Sequence, residues 1–176
     1  MSSTPKVLDL NGDGNFVVTR KAPPTFYAQA PSTPGLTKLE RWLTRRWPCV
    51  LWTGGVGCPC LRRWKLLDRL GWSLLLHRFF ADDWSLDLHD HSSKMVSVGL
   101  WGAYEEETPQ GRRTWSAPWV RSFPASHTHR LRLMTPVVWT LVWVGRQTKR
   151  SGFWAEGRWW TQSEYLRGLA KARKSC

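Results

Sequence analysis

From Leu61 onward, short apolar runs alternate with turn-forming residues at the spacing of an antiparallel sandwich or barrel, and nothing else in the chain restricts its fold as strongly. The runs cover residues 64–67, 72–80, 86–91, 95–104, 114–120, 129–133 and 137–144. Gly71, Asp82-Asp83, Pro109-Gln110-Gly111, Pro118, Pro124 and Pro136 separate them. Residues 153–160, turning at Gly157, read as a closing hairpin. Helical spacing occurs at the two ends. Leu39, Trp42, Leu43 and Arg46 fit one helix over 38–47, stopped by Pro48, and residues 163–174 fit a second, opened by a Ser163 cap. The expectation is an all-β domain with short flanking helices.

Residues 1–37 are of another kind. They are rich in Ser, Thr, Pro and Gly and read as a flexible leader. Within them Asp9 to Asn15 is similar to the first half of a calcium-binding loop. The position of the closing bidentate carboxylate holds Arg20, so a plain polar turn is the expected reading.

A chain of 176 residues suits one domain with tails. Its 14 Trp carry large apolar area and one N–H each, so most belong in the core or on half-buried strands. The charge, +13, points to an anionic partner: nucleic acid, a phosphorylated substrate or an acidic protein. The cations are dispersed as pairs such as Arg45-Arg46, Arg62-Arg63 and Arg112-Arg113, a pattern of solvated edges, and no nucleic-acid-reading motif accompanies them. Cys49, Cys58, Cys60 and Cys176 form no disulfide framework, and Cys58-Pro59-Cys60 misses the usual zinc spacing. With no basic-then-apolar start and no stretch of about eighteen apolar residues, the expected location is the cytoplasm, without a membrane segment.

Chemistry concentrates in the histidines. The chain has 5, and four form two pairs, His89-Asp90-His91 and His127-Thr128-His129. On a strand, residues i and i+2 face the same side, so each pair sends two imidazoles into one space. Four converging rings would be costly as buried polar groups but are natural ligands of a divalent transition metal.

These residues also resemble a known family. His89-Asp90-His91, Gly99 to Gly102 and His129-Arg130 are similar to the two metal-binding motifs of the cupin superfamily, and the likeness runs from about Cys60 to Leu166. Leu61-Arg62-Arg63-Trp64, Leu76-His77-Arg78-Phe79, Gly99-Leu100-Trp101-Gly102-Ala103-Tyr104, Val138-Trp139-Thr140-Leu141 and Gly152-Phe153-Trp154 carry it in order, most closely toward small cupin-like proteins of bacteria and tailed phages. The resemblance implies a double-stranded β-helix (cupin jelly roll) over 38–168, behind the leader and ahead of a basic tail at 169–176. It implies His89, His91 and His129 as ligands of Fe, Mn, Ni or Zn, with His127 as a fourth ligand or a group behind them. The glutamate common after the first pair is replaced by Met95 or Val96, so an all-histidine site is expected, with the acids at Glu105 to Glu107 as a solvated hairpin end. Tyr104, His77 and Arg130 are catalytic candidates, and Arg130 or Arg121 would hold an anionic small molecule. The implied activity is a metal-dependent, dioxygenase-like reaction. The competing expectation is a non-catalytic module that contacts nucleic acid or protein through its basic surface, and a homodimer is a further expectation.

Overall fold

Alternation decides which side of each strand enters the interior, and the chain obeys it over most of its length. The computed structural model describes residues 8–10, 16–18, 34–52, 59–83, 85 and 87–172. Two short strands, β1 (Leu8–Leu10) and β2 (Phe16–Val18), pair antiparallel within the segment read as a leader. The turn between them, with most of the calcium-like motif, lies outside the described residues. Helix α1 (Lys38–Arg46) follows, then β3 (Cys49–Trp52), β4 (Leu61–Arg69), β5 (Trp72–Phe79), β6 (Leu88–His89) and β7 (Ser93–Trp101). The chain continues through β8 (Ala103–Thr108), β9 (Gly111–Ser116), β10 (Trp119–Phe123), β11 (Arg130–Leu133) and β12 (Val138–Gln147). It ends with β13 (Gly152–Ala155), β14 (Arg158–Thr161) and helix α2 (Gln162–Ala172).

Two layers result. The large sheet has the order β10-β7-β12-β5-β4-β3, every neighbouring pair antiparallel. The facing layer consists of two three-stranded pieces, β14-β13-β6 and β11-β8-β9. Among the described residues one isolated bridge joins them: His89 N–H donates to His129 C=O at 2.8 Å and His129 N–H returns to His89 C=O at 2.9 Å. This is a jelly roll, as the alternation and the resemblance both predict.

Two predicted runs divide in the structure. The run 95–104 breaks at Gly102, whose φ of +83° no other residue adopts comfortably, and where a Cβ would meet Val137 C=O at 2.2 Å. The run 114–120 breaks between β9 and β10 around Pro118. Strand β3 was hidden, because its four residues sit between a proline and a Gly-rich stretch. The cap of α2 is Thr161 rather than Ser163: Thr161 N–H donates to Glu164 Oε2, and Glu164 N–H donates to Thr161 Oγ1. The helix also continues to Ala172, beyond the predicted end of the domain.

Helix α1 is locked to the large sheet by a buried carboxylate. Glu40 completes a capping box with Thr37 while its Oε1 accepts Arg62 Nη1 at 2.9 Å and Arg78 Nη1 at 3.1 Å. Arg62 also donates to Pro34 C=O, so the body reaches back to residue 34. Burial alone would raise the Glu40 carboxyl, but these hydrogen bonds and charges outweigh it and hold the group below its ordinary value. Beneath the helix, the fully buried Trp64 stacks on Trp139 at 5.7 Å and donates its Nε1 to Thr44 at 3.0 Å. At the other side, Phe153 stacks on Tyr165 of α2 at 4.2 Å within a core that includes Cys60 and Leu61.

Candidate metal centre

The bridge between the two half-sheets is also where the histidines meet. Leu88 and His89 pair with Trp154 and Phe153 of β13, and the backbone then leaves the ladder with His91 N–H donating to Ala125 C=O at 3.1 Å. Asp90 faces away from the rings and fixes this segment to the β13–β14 hairpin. Its carboxylate accepts Gly152 N–H at 2.8 Å, Trp159 Nε1 at 3.0 Å and Lys149 Nζ at 2.5 Å.

Three rings converge. The centroids of His89, His91 and His129 lie 5.2, 5.0 and 5.0 Å apart, and His91 Nε2 faces His129 Nε2 at 2.9 Å. Imidazole nitrogens bound to one metal at about 2.0–2.1 Å lie about 3 Å apart when they subtend a right angle. The contact is therefore satisfied either by one proton or by one metal ion shared between two lone pairs. Phe123 packs on His91 and His129, and Phe153 on His89, which holds the rings in place. Burial first, and neighbouring charges second, push His91 well below its ordinary value of 6.5. Burial also takes His89 down to about 4, despite the opposing pull of Asp83. Both rings are neutral at pH 7, the form a metal requires.

His127 is not part of this triangle. A turn closed by His127 N–H to Pro124 C=O takes it off the predicted strand, and its ring faces the far side of His129. There it meets Glu106, which corrects the reading of the acidic run as a solvated hairpin end. Glu105 and Glu107 face outward, but Glu106 is 2% exposed. Strand β8 pairs with β11 in a register that sets Glu106 opposite Leu131 and so beside both histidines. Its Oε1 accepts His129 Nδ1 at 2.7 Å and His127 Nε2 at 2.8 Å. Its Oε2 accepts Arg121 Nη1 at 2.6 Å and Trp115 Nε1 at 3.0 Å. Burial alone would raise this carboxyl; the hydrogen bonds from His127, His129 and Arg121 hold it far below its ordinary range.

This accounting separates two metal-ligating groups that share His129: His89, His91 and His129 on one side, Glu106, His127 and His129 on the other. A carboxylate offers about four lone-pair sites, and Glu106 has four donors with an arginine among them, so the second group is saturated and electrostatically closed to a cation. The first group fits. Because Glu106 accepts only, His129 places its Nδ1 proton there and presents the Nε2 lone pair to the triangle. That is the carboxylate–histidine arrangement that orients metal ligands. Among the described residues three imidazoles, those of His89, His91 and His129, face one another, with Glu106 against His129 and His127 on the far side of that ring. The in-phase placement of Tyr104 and Glu106 along β8 was the available signal for that glutamate.

The triangle forms part of the wall of a cavity of about 290 Å³ between the sheets. Of the catalytic candidates, Tyr104 and His77 line it and Arg130 does not. Arg130 follows His129 on β11, faces the other way and pairs with Glu107 at 2.5 Å. Arg121 does not line the cavity either: it is held by Glu106 and Tyr104 and stacks on Trp115 at 4.3 Å. Burial pushes the Tyr104 phenol up to about 12 and keeps its proton on. Burial likewise raises the Cys60 thiol to about 12, and Cys58, its partner in the Cys-Pro-Cys motif, lies outside the described residues.

No family model and no curated protein matches this chain. Solved structures do. A sugar phosphate isomerase from a cupin superfamily, from Silicibacter pomeroyi, is 18% identical with a TM-score of 0.45, over 53% of this chain and 65% of that one. A cupin superfamily protein from Desulfitobacterium hafniense is 13% identical with a TM-score of 0.43, over 49% and 78%. The Fe(II) form of HppE is 10% identical with a TM-score of 0.47, over 57% of each chain. The first of these matches spans less than two thirds of its counterpart, and at such identities the likeness concerns the fold. Among the described residues no helix is long and apolar enough to cross a membrane. Two antiparallel layers, closed by the His89–His129 bridge around an inner cavity, give this chain a cupin-like jelly-roll fold.

Proposed function

We propose that the protein holds one divalent transition metal ion on His89, His91 and His129 and uses it in an oxygenase-type reaction on a small anionic molecule. The observation that carries this reading is the triangle itself: three mutually facing imidazoles, two of them kept neutral by burial, at one wall of a partly open cavity. Three neutral nitrogen ligands suit Fe(II), Mn(II), Ni(II) or Zn(II), and such an ion supplies open coordination positions at which a small molecule is polarised or activated.

The protein's own groups do the rest. Glu106 holds the His129 proton at Nδ1 and keeps that ring turned toward the cavity. Asp83 Oδ2, 3.7 Å from His89 Nδ1, biases that ring's proton to its own side. Tyr104 supplies a phenol that stays protonated at any physiological pH. Leu61, Leu75, Phe79 and Phe153 make much of the wall apolar and limit water.

Elemental analysis after loading with each of the four metals tests the first half. About one ion per chain is expected, lost in His91→Ala and in His129→Ala while the fold survives by circular dichroism. Equal metal content in parent and variants would overturn it. Oxygen uptake by the iron-loaded protein, screened against small carboxylic acids, tests the second half. No uptake across the screen, with iron bound, would remove the oxygenase assignment.

A further inference from the structure

The wall opposite the histidine triangle carries a second polar row. In the large sheet, Arg63 pairs with His77, His77 with Thr140, Thr140 with Gly99, and Gly99 with Trp119, across five adjacent strands. Arg63, His77, Thr140 and Trp119 all line the cavity. Gly99 is required there, because the Trp119 indole lies over it and a Cβ would come within 2.2 Å of the ring.

Each of these four side chains carries a donor. Arg63 Nε donates to His77 Nε2 at 3.0 Å, which puts the proton of the neutral imidazole on Nδ1. Burial, and then the Arg63 charge, push His77 well below its ordinary value, so it stays neutral. Thr140 is 2% exposed, and among the described residues its Oγ1 and the Trp119 Nε1 are buried without a hydrogen-bond partner. Unsatisfied buried donors in a row are costly unless a ligand completes them. Acids also line the cavity, on the histidine side: Asp83 accepts Leu131 N–H at 2.7 Å and lies beside His89, and Asp90 has its three donors, Lys149 among them. Burial lowers the Arg63 guanidinium as well, a desolvation that an anion beside it would relieve.

We infer that this row binds the carboxylate of the substrate. A planar guanidinium beside neutral hydroxyl and indole donors matches the two oxygens and single charge of a carboxylate, and a phosphate dianion would bring a second negative charge into a cavity that Asp83 already lines. The inference rests on the metal reading for the substrate's other end: a molecule anchored at the Arg63 row extends toward His89, His91 and His129. It also replaces Arg121 and Arg130 as anion-binding candidates.

Propanoate is a suitable probe, with propanamide as its neutral counterpart and inorganic phosphate as the dianion. Binding is read from the Trp119 indole N–H resonance, identified by its loss in Trp119→Phe. Propanoate should shift it saturably, and Arg63→Gln should weaken binding about tenfold or more, the scale of one charge-assisted hydrogen bond. Thr140→Val, which preserves shape, should weaken it about threefold by loss of a neutral hydrogen bond and serves should Arg63→Gln not fold. Unchanged binding in these variants, propanamide binding as tightly as propanoate, or phosphate binding more tightly would overturn the inference. The titration is run on chelator-treated and on zinc-loaded protein. Propanoate binding that needs zinc and vanishes in His91→Ala would assign the carboxylate to the metal, overturning the row but not the metal reading. Propanoate binding retained in a protein that takes up no zinc would overturn only the metal reading.

Discussion

Two buried glutamates solve the same electrostatic problem in this molecule and do different things with the solution. Glu40, fully buried in the first turn of α1, and Glu106, buried at the small-sheet seam, are both surrounded by donors that hold their carboxyls ionised. The partners of Glu40 are two arginines and a helix cap, which spend their polar atoms on closing the structure. Those of Glu106 include His129, an aromatic ring with a second nitrogen on its opposite edge. A charge fixed on one edge of that ring is felt at the other. The lesson is that a buried ion pair becomes part of a site when one partner has a second chemical face.

This contrast can be broken by substitution. Glu40→Ala should have the largest effect, about 3–5 kcal/mol of stability, because it leaves two buried guanidiniums without their counter-charge. Urea denaturation measures it, and metal affinity of the folded fraction should not change. Glu106→Gln should weaken metal binding about 10–100-fold, the usual effect of removing the group behind a ligating histidine. A competition titration with a chromophoric chelator reads this directly; equal losses of affinity in the two variants would erase the contrast.

A pH series sharpens the same comparison. His77, His89 and His91 all have depressed values in the folded state, so below about 6.5 the unfolded chain takes up protons that the folded chain refuses. Stability of the metal-free protein should be flat above that pH and fall from 6.5 toward about 4, where His89 itself titrates. The lowered carboxyls Glu40 and Glu106 add their loss only below their ordinary value of 4.5. Replacing His91 by Phe should flatten the upper part of this curve and leave the lower part. The smallest effect belongs to Thr140→Val: losing an unpartnered buried hydroxyl should change stability by under about 1 kcal/mol, in the stabilising direction.

How much of this could be read beforehand depended on the range of the cause. Strand positions follow from local alternation, and the jelly roll was legible in it together with the ordered motifs. The meeting of His89, His91 and His129 was legible too, because two same-face pairs had few places to go. Glu106 was hidden by its neighbours: three consecutive acids look like a solvated run, and only the β8–β11 register shows which one turns inward. Of the two places open to His127, beside the other rings or behind them, only the turn at Pro124 decides: it takes the ring off the shared face and against Glu106 and His129. Arg62-Arg63 read as a solvated edge, yet alternation sends Arg62 under α1 to Glu40 and Arg63 into the cavity. Dispersed cations on a strand cannot be assigned a side until the opposing layer is known.

The His89–His129 bridge has a kinetic consequence. Its two amide hydrogens belong to residues distant in sequence that come together only when both half-sheets are complete. A metal ion gripping the side chains of the same two residues would tie their backbones as well, so opening of the seam would require release of the ion. The amides of His89 and His129 should therefore exchange with deuterium more slowly as metal is added, while those of Leu70 and Gly71, in the β4–β5 turn of the large sheet, keep their rate. The two histidines act as the clasp of the barrel, and the ion would set how long it stays shut.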